Sequence, residues 1–560
     1  MRVVHTIIAA AMVFTTVLTA AGTPVYLKAG ATGDGSGSSW ANACSNLPQA
    51  VAAAQASSSP IYAAGGVYRL TATVTAFDGL EIDGGFPGVS EAETLANRDV
   101  EQYQTILTGA KDNTSTWVYR KYDPAVNAYD FTNTDTGEAV LKDGKVNLPT
   151  QFDGPYDGYY VSFRNYWNGY GITVPKSTAA VVDGIWFVAL NAGVIINSGA
   201  KSSTVRNCRI VGMNEHGVID DAADIPQYFD NCQFLYIRAG GYGTGISSRG
   251  PAIITGCTFI SCSHTTSGSF GNVIFCFNGL RHVITDCTFA RCAQITAAGS
   301  GESGGLGNIV GDYECGAVLT RCVISNNLTT ATGILGAPLL GVRSGAVTDC
   351  LFYGNRSVVR PISARAYTMV GSIRAEVGYR LIEGCTFVSN VIDAASVDMV
   401  SGAYSLGIVG NVGIGTKVGV VNSTFEGNSA TGVENKEISI VRSRGILTVS
   451  QNSSVASEYG IANCTFRGAD DGVHYDLAQV GLAHPSLTRI FNCVFDASRP
   501  FYADVPAKCL VRDCTLPAVT DLPAGLDIDG LETDAWSYDL GGARAFGANR
   551  HPERTLRPRN

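Results

Sequence analysis

Residues 384–390 read Gly384-Cys385-Thr386-Phe387-Val388-Ser389-Asn390, and the first four of them restate a phrase that recurs along the chain. Before them it appears as Asn207-Cys208-Arg209-Ile210, Asn231-Cys232-Gln233-Phe234, Gly256-Cys257-Thr258-Phe259, Asp286-Cys287-Thr288-Phe289, Arg321-Cys322-Val323-Ile324 and Asp349-Cys350-Leu351-Phe352. After them it continues as Asn422-Ser423-Thr424-Phe425, Asn463-Cys464-Thr465-Phe466, Asn492-Cys493-Val494-Phe495 and Asp513-Cys514-Thr515-Leu516, eleven copies in all. The first position is Asn, Asp or Gly everywhere except Arg321, and these residues tolerate the left-handed backbone of a tight bend. The second is Cys everywhere except Ser423, and the fourth is Phe, Ile or Leu throughout. Positions two and four share one face of a strand. Each copy therefore turns a small and a large apolar side chain inward just after a bend.

The cysteine positions lie 21 to 41 residues apart. A short core with elastic spacing marks stacked units whose insertions leave on one side. Upstream of the bend lie β-branched runs such as Ile253-Ile254 and Val283-Ile284, which favour a strand there. Bend, short strand, bend in coils of this length predicts an all-β fold, a right-handed parallel β-helix (solenoid), with equivalent residues about 4.8 Å apart. Asn327, Asn355, Asn390 and Asn428 follow the cysteine position by five, which predicts an asparagine ladder between coils. Ten of the sixteen cysteines fill the inward column. Side chains at coil spacing keep their Cβ atoms further apart than the roughly 3.8 Å that a disulfide prefers. The column is read as buried thiols acting as small hydrophobes, while a Cys262–Cys292 bridge between coils stays open as an alternative.

The phrase N-C-T-F-x-x-N resembles the coil motif of the pectin-lyase-like right-handed β-helix proteins, and it is similar to the F-x-x-N repeats of polymorphic outer-membrane proteins. Gly33-Asp34-Gly35, the run Ser38-Ser39-Trp40-Ala41-Asn42-Ala43, the run Ala63-Ala64-Gly65-Gly66-Val67-Tyr68, and Asp83-Gly84-Gly85-Phe86 resemble the first coils and capping helix of secreted bacterial members. The resemblance covers most of residues 25–520. It implies the fold and, by analogy only, a polysaccharide ligand, because the superfamily holds lyases, hydrolases, epimerases, adhesins and inert scaffolds.

Residues 1–22 read as a secretory signal: Arg2 and His5, an apolar run Ile7–Val17, and Thr19-Ala20-Ala21 as a small-residue cleavage site. The apolar run is short for a membrane span. The expectation is an exported chain, secreted or held at the cell surface or in the periplasm, monomeric and without a membrane span. Residues 23–109 should hold the N-terminal cap and first coils, with Leu47–Ala56 as a helix over the open end. Residues 110–175 form an aromatic-rich insertion, 176–520 the β-helix coils, and 521–560 a C-terminal cap and loose tail. A net charge of −9 argues against nucleic acid or an anionic membrane surface as partner.

Two regions carry candidate chemistry. The insertion holds 13 aromatics in 66 residues. Its Trp117, Tyr159, Tyr160 and Trp167 are candidates for stacking on sugar faces; the competing reading is that such aromatics fill the insertion's own core. The second region is Asn214-Glu215-His216-Gly217 followed by Asp220-Asp221 and Asp224. Glu215, His216, Asp220 and Asp221 are candidate catalytic groups, since paired carboxylates with a nearby His suit general acid–base hydrolysis of a glycoside. Their order differs from the Asp pair and later Gly-His-Gly of polygalacturonases, and the plainer reading is a solvated acidic turn. Asp220, Asp221 and Asp224 also suit Ca²⁺ as a cofactor, with Arg238 on the next coil as a substrate-binding candidate. No other metal is expected. Two functions result. The first is an exported protein that binds extracellular polysaccharide or cell-surface glycan, with cleavage by a lyase or hydrolase mechanism as its enzymatic form. The second is a non-enzymatic, adhesin-like surface or matrix rod.

Overall fold

The computed structural model describes residues 22–111, 114–123, 128–129, 136–149, 159–239, 243–264, 273–277, 282–295, 309–313, 316–331, 340–341, 345–359, 366–371, 379–394, 404–411, 417–432, 442–450, 458–476 and 487–503, with short pieces between 509 and 545. Residues 1–21 of the expected leader and 546–560 of the expected tail lie outside them. The chain is all-β, built from parallel strands stacked coil upon coil, and Leu47–Ser57 is the one α-helix among the described residues. Sixteen parallel strands make one long sheet that runs from Val25–Leu27 to Leu526–Asp527. It contains the β-branched strands that precede each bend, such as Ala252–Thr255, Val283–Thr285 and Val318–Thr320. The phrase itself forms the next stack. Phe234, Phe259, Phe289, Ile324, Phe352, Phe387, Phe425 and Phe466 pair residue for residue across successive coils. A third sheet of seven strands follows, from Arg238–Ala239 to Ser429–Gly432.

The bends explain the register. Every described first-position residue, from Asn207 to Asn492, sits in the left-handed region with φ between 49° and 65°. Arg321 adopts it too, and its guanidinium donates from Nε and Nη2 to the two oxygens of Asp286 on the preceding coil at 2.7 Å. A second left-handed column stands four residues past the cysteine: Tyr236, Ser261, Arg291, Asn326, Gly354, Ser389 and Gly427. Each coil from Cys232 to Ser423 thus turns twice around a three-residue strand.

Inside the bends, the small column works by hydrogen bonding as well as by size. The backbone N–H of Cys232 donates to Cys257 Sγ at 3.4 Å, and that of Cys322 donates to Cys350 Sγ at 3.3 Å. Ser423 takes the same place: its Oγ accepts from Cys385 N–H at 3.2 Å and donates to Val421 O at 2.9 Å. The column cysteines from Cys208 to Cys493 are buried free thiols, as are Cys262 and Cys292, so no bridge joins that pair. Burial pushes the thiols of Cys208, Cys232, Cys257 and Cys262 well above their usual range. The phenylalanine column stacks face to face, with ring centroids 4.6 and 4.8 Å apart from Phe234 to Phe289. From Phe352 to Phe466 the steps are 4.5, 4.8 and 5.0 Å.

The asparagine ladder is present. Asn327 Nδ2 donates to Asn355 Oδ1, Asn355 Nδ2 to Asn390 Oδ1, and Asn390 Nδ2 to Asn428 Oδ1, each at 2.9 Å. The same oxygens accept the backbone N–H of the Asn one coil earlier. The second hydrogen of Asn355 Nδ2 goes to Ile324 O at 2.8 Å. Asn327, Asn355 and Asn390 are buried with both amide hydrogens bonded, the condition under which buried amides stabilise rather than cost.

The aromatic segment forms a small antiparallel sheet. Its central strand Thr116–Asp123 pairs with Tyr159–Phe163, Ala128–Tyr129 and Thr136–Ala139. It lies on the outer face of the coils through a second hydrophobic cluster, in which Trp117, Tyr119, Leu141 and Phe163 meet Trp186, Val188, Val211 and Leu235. A Cβ at Gly212 would sit 2.7 Å from the Trp117 ring, so the glycine lets the two layers close. The insertion is shorter than 110–175. Tyr170–Val174 belongs to the coils, paired in parallel with Ile185–Ile196 and with Val74–Thr75.

Asn355→Leu should lower stability by about 3 kcal/mol, since it strands a backbone N–H and an amide hydrogen of Asn327 in the dry interior; the urea midpoint measures it. The buried thiols should resist DTNB in the native protein and react fully in guanidinium. Rapid native titration of more than a few thiols would contradict the packing described.

Candidate functional site

The strands Ile185–Ile196 and Arg209–Asp220 run side by side, but not evenly. Leu190 pairs with Met213 and Ala192 with His216, so Asn214 and Glu215 together oppose the single residue Asn191. This is a β-bulge, a device that re-aims side chains. It stands where the insertion rejoins the coils: Asn191 N–H donates to Gly169 O at 2.8 Å, and Tyr170 opens the next coil strand.

Glu215 is the centre of what the bulge presents. Tyr170 donates its hydroxyl to Oε2 at 3.2 Å and Asn191 donates from Nδ2 to Oε1 at 3.1 Å. Tyr166 stands alongside. Its hydroxyl donates to Asn168 Oδ1 at 3.3 Å and is also in hydrogen-bonding reach of Asn214. Burial and the Glu215 charge both hold the Tyr166 and Tyr170 hydroxyls above their usual range. His216 faces a different partner. Gly243 O lies 2.8 Å from its Nδ1, and a carbonyl can only accept, so Nδ1 carries the proton. Burial lowers the His216 pKa, which keeps the ring neutral at neutral pH.

The remaining carboxylates do not join Glu215. Asp220 is buried and accepts from Ser248 Oγ at 2.6 Å and from Ala222 N–H at 3.0 Å, which makes it a brace for the turn rather than an open acid. Asp221 points outward to Arg249, with Nε 3.2 Å from its Oδ1. Glu215 and Asp220 are five positions apart on one strand, roughly 16 Å at strand rise. Glycosidase carboxyls stand about 5 to 9.5 Å apart, a separation that Glu215 and Asp220 exceed at strand rise. Of the Ca²⁺ candidates, Asp220 turns inward to Ser248 and Asp221 outward to Arg249. Among the described residues no group of three His, Cys, Asp or Glu side chains gathers as a metal site.

Of the stacking candidates, Trp117 is fully buried, with its Nε1 donating to Asn147 O. It packs the insertion and offers no ring face to a ligand. Trp167 is half-buried against the main core, with its ring lying over Gly169 beside the bulge. Tyr159 and Tyr160 sit opposite Lys121 and Arg120 in the insertion sheet; their side chains lie outside the described residues. Arg238 begins the first strand of the third sheet, which touches the insertion strand Tyr159–Phe163. Sequence reasoning missed Tyr166, Tyr170 and Asn191, which come from two other stretches of chain. A signal did exist. Phe187 to Gly193 is six residues and Ile210 to Gly217 is seven, and that extra residue is the bulge.

No protein-family model matches this chain, and no curated protein matches it either.

Burial raises the Asp220 carboxyl to about 6. Its folded-state pKa exceeds the unfolded value, so its stabilisation is complete below about pH 4 and is lost as pH rises to about 6. Two pKa units correspond to about 3 kcal/mol. Asp220→Asn should flatten the wild-type fall in stability between pH 4 and 7 by up to that amount. Parallel urea titrations of the two proteins read the difference, and equal slopes would contradict the assignment.

Proposed function

We propose that this chain is an exported, right-handed parallel β-helix of the pectin-lyase-like type that binds extracellular polysaccharide without cleaving it. The helix Leu47–Ser57 buries Leu47, Ala50, Val51 and Ala54 beside the first strand, which supports its role as the N-terminal cap. The observation that carries the functional reading is Glu215, held by Tyr170 and Asn191 with Tyr166 and Trp167 at hand, on the seam between insertion and coils. A carboxylate, two phenols and amides beside a partly open indole match what a sugar offers: hydroxyls to pair and apolar C–H faces to cover. The separation of Glu215 from Asp220 speaks against two-carboxylate hydrolysis.

The test is a polysaccharide panel run over the purified chain, with binding and product release followed together. Binding without new reducing or unsaturated ends is expected. Glu215→Gln should weaken it about tenfold, equivalent to about 1.4 kcal/mol. Release of such ends would make the protein an enzyme. Absence of binding to every polysaccharide would favour the adhesin-like rod with a protein partner.

A further inference from the structure

Several described carboxylates that anchor one coil to another are met by cations, although Asp220 is held by the neutral hydroxyl of Ser248. Asp183 faces Arg98 and Arg206, Glu101 faces Arg209, Asp286 faces Arg321, and Asp78 faces Lys201. Glu215 departs from that pattern. Its hydrogen-bond partners are a phenol and a carboxamide, both neutral. The adjacent His216 ring donates its Nδ1 proton to Gly243 O and is kept neutral by burial. The other described polar groups bonded at the seam, Tyr166, Asn168 and Asn214, are uncharged.

A carboxylate has about four acceptor positions, and Tyr170 and Asn191 occupy one on each oxygen. The remaining positions are open to donors, and among the described residues no ion pair offsets the negative charge. We infer that the Glu215 seam takes a glycan that donates hydrogen bonds and bears no negative charge, through hydroxyl or ammonium groups, and that it rejects polyuronates. The inference rests on the carbohydrate reading above and narrows its ligand class. Magnitudes support the exclusion. A second carboxylate within about 5 Å of Glu215, at an effective dielectric of about 20, weakens binding by more than about 100-fold. An ammonium in the same place gains a charge-assisted bond and the favourable face of an aromatic ring. A neutral hydroxyl gains an ordinary hydrogen bond to a charged acceptor.

Calorimetric titration against three oligosaccharide sets decides the matter: a neutral set (mannan and β-glucan fragments), an amino set (chitosan fragments) and an anionic set (polygalacturonate and alginate fragments). Wild type should bind a neutral or amino member and no anionic one. Glu215→Gln keeps the size of the side chain and removes the charge. It should lower amino-sugar affinity about 30-fold with loss of salt dependence, or neutral-sugar affinity about tenfold with none, and in either case should raise polyuronate binding. Tyr170→Phe, which removes one neutral donor and leaves the charge, should keep the rejection of polyuronates, and it serves if the Glu215 variant does not melt cooperatively. Tight wild-type binding to polyuronates alone would overturn this inference and leave the carbohydrate reading standing. Binding to no set would overturn both.

Discussion

The structure depends on a backbone constraint: each coil from Cys232 to Ser423 must reverse twice around a strand only three residues long. Each reversal places one residue in the left-handed region, at a cost of roughly 1 kcal/mol where it is neither Gly nor Asn. The backbone N–H after each bend is turned inward, away from the ladder, and must find an acceptor in a dry interior. That need selects the inward residue. A thiol, a serine hydroxyl or an Asn Oδ1 can accept from the coil before it, and each is small enough to sit inside the turn. Cys257, Ser423 and Asn355 are three answers to one requirement. The large residue two positions later then has a fixed direction, which is why the phenylalanines stack within 5.0 Å.

The first bend was legible in the amino-acid sequence because Asn, Asp and Gly announce left-handed backbone locally. The second was not. Tyr236, Ser261, Arg291 and Ser389 carry no such signature, and they are left-handed because the coils on either side impose it. The asparagine ladder was readable where Asn327 to Asn428 repeat. The insertion was readable as a region, while its end was not, since Tyr170 counts as an aromatic by composition and as a coil residue by pairing. Composition also could not tell a packed indole from an offered one. Trp117 and Trp167 look alike in sequence, and only the layer on top of Gly212 distinguishes them.

The candidate site failed in sequence for a geometric reason. Asp220 and Asp221 are neighbours in the chain, and neighbours at a strand end point to opposite sides. One is buried against Ser248, and the other is 37 % exposed beside Arg249. Adjacent acids were read as a pair when the strand had already separated them. The groups that do meet at Glu215 come from Tyr166 to Tyr170 and from Asn191, positions 24 to 49 residues away in the chain. Stacked coils bring together residues one coil apart, so the relevant neighbours of any residue lie at coil spacing rather than at its side.

This has a consequence for where function can sit. In the regular coils the backbone of each outward column repeats, and in places the side chain with it: Thr258 opposes Thr288, and Thr386 opposes Thr424, which opposes Thr465. A repeating surface offers many equal places and no single one. Specific recognition needs a break in register. Among the described parallel pairings the register shifts at Tyr62/Ala64, at Leu190/Ala192 and at Arg467/Ala469. The second of these lies at the return of the antiparallel insertion and opposes two residues to one. The bulge turns Glu215 out of the columns, the insertion's return segment supplies Tyr166 and the coil strand after it Tyr170, and the preceding coil supplies Asn191. A surface that is otherwise periodic thereby gains one place with its own chemistry.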